Sequence, residues 1–112
     1  MTEADETWFQ VVRVDFEGTA DTLGAFHQWY DEVHIPAMTA APGIRSCSRF
    51  VDVNSPSALL AIWEIDHPSA YEHPAAVAGA GWGQFAPNVA GCTVTYTKQV
   101  GTVRRFGTAA AS

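Results

Sequence analysis

Phe26-His27-Gln28-Trp29-Tyr30-Asp31-Glu32-Val33-His34-Ile35-Pro36, running on to Pro42-Gly43-Ile44, is the stretch on which the reading of this chain turns. Two histidines, two further large aromatics and two carboxylates fall between Phe26 and His34. At about 100° per residue, Leu23, Phe26, Tyr30, Val33 and Ala37 line one side of a helix, with Trp29 at its edge. His27 and His34 are seven apart and fall almost in register on the flank of that side, with Asp31 one turn from each. Gln28 and Glu32 point toward water. A titratable row beside an apolar row is what a pocket wall between a helix and a sheet requires.

The 112 residues make one domain, with residues 1–7 and 107–112 read as flexible tails. An apolar fraction of 47% and a charged fraction of 16% describe a globular chain with little charge. Six basic against twelve acidic residues give −6, which argues against nucleic acid or an anionic membrane as partner. No apolar run is long enough to span a bilayer, and no signal-peptide core follows Met1. Cys47 and Cys92 are read as reduced thiols in a cytoplasmic protein.

Working outward, Trp8–Phe16 is rich in β-branched and aromatic residues and predicts a strand. Asp21 or Thr22 is the expected cap of the helix, and Pro36 is expected to kink or end it beside His34. Residues 44–53 predict a second strand and Asn54–Ser57 a turn. Residues 58–66 are nearly continuous in apolar residues and predict a central third strand. From Pro68 to Phe85 runs a weaker helical region, interrupted by Pro74 and three glycines. Residues 92–103 alternate and predict a fourth strand. The order β-α-β-β-α-β is the α+β, ferredoxin-like plan: a four-stranded antiparallel sheet with two helices on one face. Its bare second face predicts a homodimer.

With the order in place, F-x2-W-Y-D-E-x-H-I-P…P-G-I resembles the dimeric α/β-barrel superfamily, and within it small EthD-like proteins. Trp29, His34, Pro36, Pro42, Gly43 and Ile44 carry that likeness, and Arg49-Phe50 fits an aromatic or basic pair on the next strand. Tyr71 and His73-Pro74 resemble a stretch of olivetolic acid cyclase and its relatives, although Ala76 stands where those have a histidine. Haem-degrading members place a histidine on the second helix, where this chain has Ala75 to Gly81. The resemblance implies cofactor-free oxygenases, cyclases, decarboxylases, dehydratases, haem enzymes or proteins without activity, so it fixes fold more than function.

His34 reads either as a general base or acid, or as a structural histidine bonding a carbonyl freed by Pro36. Tyr30, Tyr71 and His73 are candidates to polarise or orient a carbonyl or hydroxyl. Trp29, Phe50, Trp63, Trp82, Phe85 and Arg49 are candidates to bind substrate, with plain core as the alternative for the aromatics and an internal salt bridge for Arg13 and Arg49. Arg13 or Arg49, sitting mid-strand, would take Asp31, Asp15 or Glu64 as partner. His27 is read as a surface histidine. His27, Asp31 and His34 share a face, but the histidine spacing is wide for zinc; no metal or cofactor is expected. The sequence thus predicts a cofactor-free enzyme acting on a small aromatic or polyketide-like molecule by cyclisation, dehydration or isomerisation. The alternatives are a cofactor-independent monooxygenase and a non-catalytic binding protein.

Overall fold

β1 (Trp8–Phe16) opens a computed structural model that describes residues 6–101. Its alternation sends Val12, Val14 and Phe16 into the core while Arg13 and Asp15 face outward. Those two outward residues pair with each other at 3.3 Å, so Arg13 is not buried. α1 (Ala20–Trp29) starts two or three residues earlier than expected, because Thr19 rather than Asp21 or Thr22 is its cap. The Thr19 hydroxyl accepts from the Thr22 N–H at 3.1 Å, and Asp21 then sits in the first turn, where the helix dipole favours a carboxylate.

Pro36 does not end the helix. Residues Tyr30–His34 form a π-helical turn in which the Ile35 N–H reaches back five residues to the Tyr30 carbonyl. The chain then continues as α2 (Ile35–Thr39), with Pro36 in its first turn, where a missing N–H is tolerated. A π-turn holds one residue more than an α-turn, so the inward row changes phase. Phe26, Tyr30, His34 and Met38, four apart throughout, are buried, whereas Val33 swings out to 53% exposure and Ala37 is also exposed. His34 is therefore carried from the flank into the buried row.

β2 (Ile44–Asp52) and β3 (Ser55–Ile65) form a tighter hairpin than the Asn54–Ser57 turn predicts. Asp52 pairs with Ser55, and the Asp52 carboxylate accepts from the Asn54 N–H at 2.8 Å. Pro56 falls where the register of that pair is irregular, a position that tolerates a missing donor. The second helical region is three short pieces: a 3-10 turn at Pro68–Glu72, α3 (Pro74–Gly79) and a 3-10 turn at Gly83–Asn88. β4 (Val89–Lys98) begins earlier and ends earlier than expected. Val100 and Gly101 are exposed and outside it; residues 102 and 103 lie beyond the described residues.

The sheet is antiparallel in the order β2-β3-β1-β4, with helices packed on one face. Register places Val12, Val14, Ala61 and Trp63 toward the helices, where Phe26, Tyr30 and Met38 close the core. The opposite face carries Phe9, Val11, Leu60, Ile62, Phe50 and the row Thr93, Thr95 and Thr97. Glu6 and Thr7, read as tail, are tied down: Glu6 pairs with Lys98 at 2.9 Å, and the Gln99 N–H donates to the Thr7 carbonyl at 2.8 Å. The other tail positions, 1–5 and 107–112, lie outside the described residues. Cys47 and Cys92 stand on the two edge strands and are both free. Among the described residues no helix is long and apolar enough to cross a membrane.

Candidate functional site

A cavity of about 350 Å³ lies between the helical layer and the sheet. Tyr30, His34 and Met38 reach it from the first helix, and Gln10, Val12, Trp63, Cys92 and Val94 from the sheet. Tyr71, Ala76, Ala80, Gly81 and Trp82 close it from the segment between β3 and β4. Its walls are mostly apolar, with a few polar atoms among them, which is the usual make-up of a small-molecule site.

His34 is 7% exposed and is enclosed by rings. Trp29 stacks on it at 5.0 Å between centroids, Tyr30 meets it edge-on at 4.8 Å, and Trp63 stands perpendicular at 5.7 Å. Trp82 closes the cage at 6.1 Å. Burial holds the imidazole below its ordinary value, because apolar walls disfavour the charged form; hydrogen bonding by the Gly79 backbone works against this. The ring is therefore neutral at pH 7 and able to accept a proton. Its Nδ1 is sealed from solvent with no hydrogen-bond partner, as is the Tyr71 hydroxyl.

Burial also pushes the Tyr30 and Tyr71 phenols up, so both remain neutral donors. A hydrogen bond from Trp63 and the charge of Arg49 temper the effect at Tyr30. Burial likewise pushes the Cys47 thiol up to about 12 and raises Cys92, so neither is an activated nucleophile. Near Tyr71, the Tyr96 ring lies at 6.2 Å and its hydroxyl accepts from Gln10 Nε2 at 3.1 Å.

The structure brings His34, Tyr30, Tyr71, Trp63 and Trp82 together on one cavity. It does not bring the others there. Trp29 backs His34 from outside, and Phe85 is core, 5.3 Å from Phe26. Phe50 lies on the helix-free face at 49% exposure, because strand alternation turns it away from its neighbour Arg49. His73 is exposed and caps α3, its Nδ1 accepting from the Ala75 N–H at 3.1 Å. Arg49 faces the helices but stops short of the cavity. Its Nη1 donates to Asp31 at 2.9 Å and its Nη2 to His27 Nδ1 at 2.6 Å, and the guanidinium carbon lies 4.5 Å from the centroid of the Tyr30 ring. His27 is thus half-buried and engaged rather than a free surface histidine.

Gln10, Val12, Met38 and Val94 were not singled out by the sequence, and Ala76 and Cys92 were named there but not as lining a site. Gln10 left a signal: it is in phase with Val12 and Val14, and a polar residue in an inward row marks a wall rather than a core. Trp82 owes its place to glycines on either side, Gly81 at φ 96° and Gly83 at φ 55°, conformations that side chains rarely adopt.

The strand order and one-sided helices have counterparts among solved structures. A dimeric ferredoxin-like protein from an uncultured marine organism shares 16% identity over 94% of this chain and 97% of its own, with a TM-score of 0.68. The likeness is one of fold, the ferredoxin-like α+β plan. An ethyl tert-butyl ether D (EthD) family protein from Bacillus halodurans matches at 18% identity over 83% of this chain and 99% of its own, with a TM-score of 0.60. A monooxygenase of Streptomyces coelicolor, solved in complex with nanaomycin D, matches at 13% identity over 88% of this chain and 92% of its own, with a TM-score of 0.65. No protein-family model matches the chain, and no curated protein does.

Proposed function

We propose that this α/β-barrel chain is a homodimeric, cofactor-independent monooxygenase acting on a small, planar, largely apolar aromatic molecule. The observation that carries the reading is His34, neutral and caged by aromatic rings on the wall of a cavity of about 350 Å³. A single base in an apolar site suffices for the chemistry. It takes an acidic proton from a phenol, or from carbon beside a carbonyl, and the resulting electron-rich anion reduces dioxygen and forms a C–O bond. The O–O bond then breaks, so that a ring CH or methylene carbon becomes C=O and the second oxygen leaves as water. Tyr30, a neutral phenol beside the base, serves to donate to a substrate oxygen, and Tyr71 does the same from the opposite wall. The Streptomyces coelicolor relative, a monooxygenase that holds nanaomycin D, supports this choice over a cyclase or dehydratase. The same base serves cyclisation, dehydration or isomerisation if oxygen does not enter.

Anthrone, whose methylene between two rings is acidic, is a suitable probe. Oxygen consumed in a one-to-one ratio with anthrone is the expected result, with turnover reduced about 10²-fold or more in His34→Gln. Conversion without oxygen uptake would shift the assignment to acid–base chemistry alone. Binding without conversion, unchanged by His34→Gln, would leave a binding protein.

A further inference from the structure

The Arg49 cluster lies outside the cavity and is not used by the chemistry above. Arg49 sits on edge strand β2 opposite Ala61, yet its side chain is only 15% exposed. Three groups of the first helix hold it: Asp31, His27 and the face of Tyr30. A guanidinium has no lone pair to offer, so at 2.6 Å the His27 Nδ1 must be the acceptor, with its proton on Nε2. A planar fork engaged by a carboxylate and an imidazole, and stacked on a ring, has its orientation fixed in all directions. Tyr30 is in turn the residue that meets His34 edge-on at 4.8 Å, and it begins the π-turn that His34 ends.

We propose that Arg49 is a positioning residue: clamped by Asp31 and His27, it fixes the Tyr30 ring and, through that ring, the seat of His34 in the cavity wall. Arg49 itself does not touch a bound molecule. The proposal rests on the cavity being a binding site only for the affinity arm of its test; the other arm needs no ligand.

The test is an NMR titration of the His34 ring in the wild type, Arg49→Lys and Arg49→Met, beside the dissociation constant for nanaomycin D. Lysine keeps the charge but lacks the fork, so a change in Arg49→Lys reports ring position rather than lost charge. The expected result is a His34 midpoint moved up toward 6.5 in both variants, with affinity weakened about tenfold. His27→Gln retains an acceptor oxygen and keeps the wild-type midpoint, whereas His27→Ala moves it. Should the Arg49 variants lose thermal stability while the His34 midpoint and the affinity stay at wild-type values, Arg49 is an ordinary salt bridge and the proposal falls. If the wild type does not take up nanaomycin D, the reading of the cavity suffers, and the titration still decides on Arg49.

Discussion

At the scale of single residues, the proposed chemistry rests on where one imidazole is kept. The folded His34 pKa lies below 6.5, so between that value and 6.5 the unfolded chain binds more protons than the folded one. Stability should rise with pH through this window and be complete above it. His27 is lowered too, first by burial and then by Arg49, with Asp31 opposing, and it adds to the same slope. Urea midpoints measured from pH 5 to 8 should therefore climb less steeply in His34→Gln than in the wild type; parallel curves would contradict a buried neutral ring. Sequence made His34, Tyr30, Tyr71, Trp63 and Trp82 legible because they are chemically distinctive. It did not make Phe50 or His73 legible. Alternation says that Arg49 and Phe50 face opposite ways but not which one meets the helices, and a histidine before a proline reads alike whether it caps a helix or lines a wall.

At the scale of elements, the strands and their order were legible because period-two patterns and turn residues are local. The phase of the first helix was not. A π-turn changes no composition and breaks no motif; it adds one residue to a turn, and every later residue moves round the axis. Val33 tests this directly. In an uninterrupted helix it would lie in the buried row, and a lysine there would be severely destabilising. At 53% exposure, Val33→Lys should change the urea-unfolding free energy by no more than about 0.5 kcal/mol. The start of the helix offers the opposite case. Thr19→Ala removes the hydroxyl that accepts from Thr22 and should cost about 1 kcal/mol in the same measurement.

At the scale of the whole molecule, the helices cover one face of the sheet and leave Phe9, Val11, Leu60 and Ile62 on the other. Packing on a second copy would cover that face without a further element. Light scattering at micromolar concentration should give about twice the chain mass, and Leu60→Glu at the middle of the face should give the single mass. A wild-type monomer would overturn this. Because β2 and β4 are opposite edges, two titratable thiols per unfolded chain are expected without reductant.

The π-turn can also be put as the gain of one residue in an otherwise plain helix. Phe26 and Tyr30 followed by positions 33 and 37 would be the inward row of a plain helix, so the turn amounts to one in-frame codon. Losing the codon for Val33 would move His34 and Met38 into those two positions and keep both facing the cavity. The penalty falls on Pro36, which would then sit in an uninterrupted ladder at about 3 kcal/mol. A chain shortened by Val33 should thus still turn His34 and Met38 toward the cavity, at lower stability in urea unfolding, whereas a full-length His34→Gln chain keeps the turn and loses the imidazole.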